Sequence, residues 1–394
     1  MKLYISMFDV IIFLIFIAAV ALLVWKDRKN FKLEGLILMR RTQKSKKTID
    51  NIAMKAPKIW NAIAIIGIVT AVIGMVATLI LLIFVAQQVG HGADGVKLIL
   101  PAPAHSETTP GLLLIPWWVW IIAITAIVIP HELMHGIICR VEKIPIKSVG
   151  WGFFLFIPVA FVEPDEEKLK KAKSRTRMKV GAAGPFANIL VFIVITILLI
   201  PVIMYVSSIE VKGVIPSGVM KGYPAEIINF SSGPSFLSPL NSGEAIIKIN
   251  NEEINSLNSI SSILEKIKPG TVIDVETTKG VYKIKTAENP SNKTSSFIGV
   301  TGPFKPYVKA KIGGDVPIIL LNLLNTIAVL SLGVAMINLL PGTILDGGMV
   351  FKEILRRFIK TESRLINVMR GISIFILLLI LYDLVGPLLY SVGI

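Results

Sequence analysis

The sequence predicts a polytopic α-helical membrane protein of about six transmembrane helices, carrying one small α+β domain outside the membrane. Three observations predict it. The 394 residues are 53% hydrophobic, with a mean hydropathy of +0.72, far above a soluble globular chain. Six stretches hold the roughly 20 apolar residues that a bilayer requires. One long polar region, residues 207–315, interrupts them with twelve Lys/Arg and ten Asp/Glu, and its length suits a small folded domain. The expected organisation is a membrane domain of four spans over residues 1–206, the polar domain over 207–315, and a membrane domain of two spans over 316–394.

The spans are expected near residues 6–25, 60–86, 117–139, 180–206, 317–340 and 372–394. No small-residue cleavage site follows the first apolar run, which therefore reads as a retained span. The formal charge of +15 does not point to nucleic acid, because the basic residues gather in loops between spans. Residues 26–58 carry eleven Lys/Arg against three acids, 140–179 ten against five, and 351–370 six against two. Residues 87–116 carry only Lys97, with Asp94 and Glu107. Basic loops stay on the cytoplasmic side, so both termini and the polar domain are expected outside. Cys139 is the single cysteine; an intrachain disulfide and a cysteine-rich metal site are both excluded.

The chemistry concentrates at the end of the third span, in His131-Glu132-Leu133-Met134-His135. On a helix the two histidines lie one turn apart and face the same way, so two imidazoles can grip one cation. Glu132 stands on the flank, placed to take a proton from a water held there. The chain has only four histidines, two of them in this pentapeptide, and ionisable groups at membrane depth are costly. His131 should lie roughly 20 Å along the helix from Trp117–Trp120, in the cytoplasmic half of the bilayer. Pro130 removes a backbone donor, and the freed carbonyl calls for cover by protein or water.

Other candidates are placed by topology. Residues 150–162 are apolar but too short and too Gly/Pro-broken to cross, which leaves a re-entrant hairpin or a loop tucked under the bundle. Residues 165–179 are charged and expected to be helical. Gly181-Ala182-Ala183-Gly184 opens the fourth span with small residues that permit close helix approach, and Asn188 is polar within it. Asp346, after the fifth span, arrives on the histidines' side. An Asp-Gly pair is often a turn, but zinc needs a third protein ligand with one position left open. Asp383 in the last span is a rival carboxylate expected towards the outer face. In the polar domain, strands are expected near 211–215, 245–250, 271–278, 281–287 and 297–301, with a hairpin turn at Lys279-Gly280. A helix is expected through Ile260, Ile263, Leu264 and Ile267, stopped by Pro269-Gly270.

Three motifs in this order resemble the site-2 protease family of intramembrane zinc metalloproteases: H-E-x-x-H late in one span, Gly184-Pro185-x-x-Asn188 opening the next, and Asn338-x-x-Pro341 leading to Leu345-Asp346-Gly347. The resemblance implies a Zn2+ cofactor with His131, His135 and Asp346 as ligands and Glu132 as general base. It implies substrate positioning by Asn188 and Asn338. The polar region resembles a PDZ domain through Tyr223-Pro224-Ala225 and residues 242–250, with Glu244 where that pattern usually has Asp and an apparent insertion at 229–240. Such a domain binds extended peptides at a sheet edge; a purely structural domain is the alternative.

The activity implied is hydrolysis of a peptide bond inside a single-span membrane protein substrate, in a multi-pass protein of the cell membrane whose active site faces the cytoplasmic side. A substrate helix must unwind before attack, and the 152–162 stretch is a candidate for pairing with the unwound strand. A membrane zinc-binding protein or transporter without proteolysis is the alternative, although no internal repeat supports it. A peptide-binding scaffold with a decayed site is a third, opposed by the intact Glu132. The lipid bilayer is the other partner expected. No motif accounts for the first two spans and the basic loop 26–58.

Overall fold

The computed structural model describes residues 7–91, 95–102, 112–154, 157–207, 211–216, 218–228, 244–290, 292–301, 305–308 and 316–391. The helices among them are α1 (Met7–Lys26), α2 (Gln43–Lys55), α3 (Pro57–Val89), α4 (Trp117–Val141), α5 (Glu166–Lys171), α6 (Ser174–Ser207), α7 (Leu257–Glu265), α8 (Val316–Leu339), α9 (Asp346–Leu355) and α10 (Glu362–Ser391). Five of these, α3, α4, α6, α8 and α10, are long and apolar enough to cross a membrane, and α1 contributes a shorter apolar stretch, Phe13–Lys26. The chain divides into two compact units, one of residues 7–101, 108–197 and 324–394, the other chiefly of residues 198–323.

In the first unit, helices run past the apolar stretches that mark them. α6 begins at Ser174 and α10 at Glu362, because their charged first turns are helical without being apolar, and hydropathy registers only the apolar part. The charged segment expected as one helix is two. α5 is capped by Asp165, whose side chain accepts from Lys168 N at 3.1 Å, and the chain breaks at Ala172 before α6 starts. The helices pack through small residues. α3 buries Ala64, Gly67, Ala71, Met75, Thr78 and Leu82 at three- and four-residue spacing, one stripe of a 3.6-residue helix. A Cβ on Gly67 would touch Phe186 of α6 at 3.4 Å, and one on Gly74 would clash with Leu339 of α8.

A four-stranded sheet, not anticipated as such, completes this unit. β1 (Phe31–Glu34) and β2 (Ile37–Arg41) form a hairpin in the basic loop, turned at Gly35 with φ +63°, a conformation glycine adopts at no steric cost. Leu98–Ala102 and Leu112–Pro116, here β3 and β4, pair separately. β5 (Ile146–Phe154) and β6 (Ile157–Pro164) form the antiparallel hairpin that the 150–162 stretch allows, with its tip outside the described residues. The sheet order is β1-β2-β5-β6, so β6 is an edge strand. Gly150 and Gly152 lie so close to the β2 backbone that a Cβ would fall 2.4 and 2.1 Å from the Arg40 and Leu38 carbonyl oxygens. The glycines that made this stretch look loop-like are those that let β5 lie against β2. Ile49 and Ala53 of α2 join Met134, Ile137 and Ile138 of α4 and Ile146 and Val149 of β5 in one core.

The second unit is an α+β body. Its main antiparallel sheet runs in the order Val281–Lys285, Val272–Thr277, Ile246–Ile249, Val211–Ile215, Lys305–Val308. The hairpin turn at Lys279-Gly280 is present, with Thr277 N donating to Gly280 O at 2.8 Å. α7 is capped by Ser256 and places Ile260, Ile263 and Leu264 in a core with Ile246, Ile249, Ile273, Val275 and Ile284. The strand expected at 297–301 is instead two pieces, Asn292–Phe297 and Val300–Thr301. The apparent insertion at 229–240 and Ser242-Gly243 of the PDZ-like pattern lie outside the described residues.

Candidate metal centre

His131 and His135 project from one face of α4, as four-residue spacing requires, with ring centroids 4.9 Å apart. Their Nε2 atoms are 3.3 Å from each other. Asp346 Oδ2 lies 3.0 Å from His131 Nε2 and 3.3 Å from His135 Nε2. Three ligand atoms held at ~2.0–2.1 Å by one tetrahedral ion would be spaced by about 3.3–3.4 Å. The observed triangle is close to that spacing, and its donor set, two imidazoles and a carboxylate, is one that zinc accepts in open, catalytic sites. Among the described residues this is the one group of three such side chains with ligand atoms within 4.8 Å of one another.

Helix α6 backs the imidazoles with three residues at four-residue spacing. The Val180 carbonyl lies 2.9 Å from His135 Nδ1. A carbonyl only accepts, so Nδ1 carries the proton there and the neutral ring keeps its Nε2 lone pair for the triangle. One turn on, a Cβ at Gly184 would fall 2.3 Å from His135 Nε2 and 2.4 Å from His131 Nε2. The missing side chain leaves the space beside both ligand atoms open. A further turn on, the Asn188 side-chain amide meets His131 Nδ1 at 3.0 Å. Asn188 is fully buried, and its own carbonyl accepts from Ser331 Oγ of α8 at 2.8 Å.

Asp346 occupies the first turn of α9, where unsatisfied backbone N–H groups favour a carboxylate. The following glycines are forced by contact. A Cβ on Gly347 would lie 2.2 Å from Leu339 O, and one on Gly348 would lie 1.9 Å from Gly342 O. Asp346-Gly347 thus lies in a tight turn, and the glycines fold the chain closely enough to aim the carboxylate at the two imidazoles. Ion pairs hold α9 to α6, with Arg177 Nη2 at 2.6 Å and Nε at 2.8 Å from the two oxygens of buried Glu353. Arg356 adds a contact to Glu353 at 2.8 Å. Burial works against the charged form of Glu353, yet these partners hold its carboxyl below the usual value.

Glu132, next to His131 on α4, is half-buried. Its Oε2 accepts from the backbone N–H of Val162 on β6 at 3.0 Å. Val162 pairs with Val149, whose carbonyl bonds to Thr42 on the β2 side. The Val162 backbone therefore faces outward from the sheet edge, and two residues back Ala160 faces the same way. A cleft of about 170 Å³ lies between α4 and the β5–β6 hairpin, lined by Thr125, Val128 and Ile129, by Trp151, Gly152 and Phe153 of β5, and by Pro158, Val159 and Ala160 of β6. A cavity of about 530 Å³ beside Asp346 is lined by Lys170, Thr343, Lys352 and Arg370 among others.

The structure thus brings together His131, Glu132, His135, Asn188 and Asp346. Asn338, half-buried on α8, is not among the groups that bond to the triangle. Asp383 is fully buried in α10 with both oxygens unpartnered and does not join it. The sequence did not flag Val180, whose backbone alone acts, and marked Gly184 as a packing residue and part of a motif without placing it beside the ligand atoms. The four-residue spacing of Val180, Gly184 and Asn188 was the available signal.

Comparison with known proteins gives a family. The model of Peptidase family M50 matches residues 119–380. An uncharacterised protein of Methanocaldococcus jannaschii is 28% identical over 396 residues, covering 95% of this chain and 97% of its own. A Clostridium perfringens protein provisionally named a zinc metalloprotease is 24% identical over 342 residues, covering 68% of this chain and 98% of its own. With its H-E-x-x-H helix and distant aspartate inside the matched region, the chain belongs to Peptidase family M50, the site-2 protease family.

Proposed function

We propose that this protein is an intramembrane zinc metalloprotease that hydrolyses peptide bonds within single-span membrane protein substrates. The observation that carries the reading is the pairing of the His131–His135–Asp346 triangle with a carboxylate, Glu132, that stands beside it and bonds to a strand edge. His131, His135 and Asp346 would hold zinc, which when bound supplies Lewis acidity, bringing water into its ionising range near neutral pH and polarising the scissile carbonyl. Glu132 accepts the proton from water and returns it to the leaving amine. The outward backbone of Ala160 and the cleft beside it offer an unwound substrate a strand to pair with, along the line that leads to Glu132. The cavity beside Asp346, with Lys170, Lys352 and Arg370 in its wall, would admit water.

The loop charges favour the polar region outside and the basic segments inside, which puts the metal centre towards the cytoplasmic face of the cell membrane. The α+β unit is assigned a PDZ-like role, selecting substrates by binding an extended peptide or by excluding bulky ectodomains. Asn338 is assigned to positioning the substrate.

Glu132→Gln tests the chemistry. It keeps size and shape but removes the proton acceptor, so zinc content should hold while cleavage of a single-span substrate falls by about a hundredfold or more. Near-normal cleavage would overturn the mechanism. Zinc binding by a wild-type protein that cleaves nothing would favour the alternative, a membrane zinc-binding protein or transporter.

A further inference from the structure

We propose that the backbone N–H of Val162 is a positioning group for Glu132, tying the general base to edge strand β6 and ending at Ala160 the part of that edge open to a paired substrate. The inference rests on the reading of Glu132 as general base and adds to the site a residue that acts through its main chain.

Glu132 needs a holder outside the metal triangle. Successive residues on a helix point about 100° apart, so the contacts that fix His131 and His135 do not fix Glu132. Its side chain is long and loses several rotatable bonds when held in one place. Among the described residues its carboxylate bonds to the Val162 N–H, which donates to Oε2 at 3.0 Å. A backbone donor on a carboxylate makes a charge-assisted bond, stronger than one between neutral groups, and its direction is set by the sheet. The approach that permits this bond is built into α4. Gly136, one turn after Glu132 on the same face, faces β6 directly: a Cβ there would fall 3.3 Å from Val162 Cγ1 and 3.0 Å from Ile49 Cδ1.

The register of the hairpin makes the Val162 N–H available. Val162 lies opposite Val149, whose own carbonyl bonds to Thr42 on the far side, so this pair exchanges no ladder bond and the Val162 N–H points off the sheet edge. Ala160 and Pro158 share that orientation at two-residue steps. Pro158 shows that β6 accommodates a residue without an N–H at an outward position, as edge strands do. A strand added to this edge would find the N–H and carbonyl of Ala160 and the carbonyl of Pro158 open to it. At Val162 the N–H is already spent on Glu132, so the paired stretch runs out beside the general base. One bond thereby places the proton acceptor and marks the end of the strand that would present the substrate.

The test uses the full-length, zinc-loaded protein in detergent with a single-span substrate. Val162→Pro removes the N–H and leaves the β5–β6 ladder bonds in place, whereas Val162→Ala trims the side chain and keeps the N–H. The kcat of the proline variant should lie about 10- to 100-fold below that of the alanine variant, the scale for a displaced catalytic group, with KM within about twofold. Zinc content should be the same in both. Should the proline variant fail to fold, amide hydrogen exchange decides. The Val162 amide should then exchange at least about tenfold more slowly in wild type than in Glu132→Ala, while the Ala160 amide exchanges alike in the two. Equal kcat in folded, zinc-loaded proline and alanine variants would overturn the proposal. A change in KM alone would also overturn it, by giving the N–H to the substrate, and so would Val162 exchange that ignores the loss of the Glu132 carboxylate. Cleavage of nothing by zinc-loaded wild type would overturn the protease reading itself.

Discussion

Gly184→Ala separates two reasons for a glycine in a membrane helix. If Gly184 only lets α6 approach α4, a methyl group there should cost stability and leave the chemistry intact. The geometry gives a different expectation. The added carbon would lie 2.3 Å from His135 Nε2, 2.4 Å from His131 Nε2 and 2.6 Å from His131 Cε1, where ordinary contact starts near 3.4 Å. Each imidazole would have to retreat by about 1 Å, against a tolerance of about 0.2 Å for metal–ligand distances. The retreat is resisted, since moving the rings away from α6 stretches the hydrogen bonds of His135 Nδ1 to the Val180 carbonyl and of His131 Nδ1 to Asn188. Zinc affinity should therefore fall by more than about a hundredfold, while overpacking costs about 1–3 kcal/mol of stability. Metal analysis of the purified variant, with thermal unfolding beside it, reads both. Gly333→Ala on α8, where a Cβ meets nothing within 4 Å, is the control and should keep full zinc. A folded Gly184→Ala protein with wild-type zinc content would refute the argument.

Three further outcomes are expected. Asp346→Ala should lose zinc and cleavage while Asp383→Ala keeps the metal; the reverse, read by metal analysis, would make Asp383 the ligand. Glu353, whose folded carboxyl sits below the ordinary value of 4.5, contributes stability that is present above that value and lost as pH falls through the folded one. Arg177→Ala, which leaves buried Glu353 with Arg356 as its remaining ion-pair partner, should destabilise at pH 7 by about 1.5–3 kcal/mol and flatten the acid limb of a thermal-unfolding pH series; an unchanged limb would count against the clamp. Cysteines placed at exposed Lys47 and Lys279, against a background of one buried native thiol, should be labelled from inside and outside the cell respectively, and the opposite pattern would reverse the orientation.

The parts of the fold legible in the sequence are those written in local periodicity. Apolar length marked the helices long enough to span a membrane, and the four-residue spacing of His131 and His135 needed only a helix to bring the two imidazoles together. Alternating strands and a Lys-Gly turn marked most of the polar sheet. What stayed hidden depends on contacts between distant segments. β1 and β2 are short and charged, and they form a sheet only because Gly150 and Gly152 admit their backbone beside β5. Residues 150–162 therefore read equally well as hairpin or loop, and their strand character was decided by a partner more than 100 residues earlier. Val180 could not be flagged by its side chain, since its contribution is a carbonyl oxygen.

Asp346 and His135 are 211 residues apart in sequence, and what brings them within 3.3 Å is a third element, α6. Its face carries Val180, Gly184 and Asn188 against the imidazoles. A neighbouring face carries Gly181, where a Cβ would come within 3.0 Å of the Asp346 carbonyl oxygen, and Arg177, which grips Glu353 further along α9. As residue numbers on α6 fall from 181 to 177, the contacts on α9 move from Asp346 to Glu353, so the two helices run antiparallel and are fixed at two points. The carboxylate and both imidazoles are thus positioned against one rigid helix rather than against each other. A metal centre demands ligand distances held to about 0.2 Å, and three segments tied separately to a single helix meet that demand without any of them being adjacent in sequence. The small residues of the Gly-Ala-Ala-Gly run are what make that common backing possible. They allow α6 to touch α4 on one side and α9 on the other: a Cβ at 184 would run into both imidazoles, and one at 181 would crowd the Asp346 carbonyl and Met349.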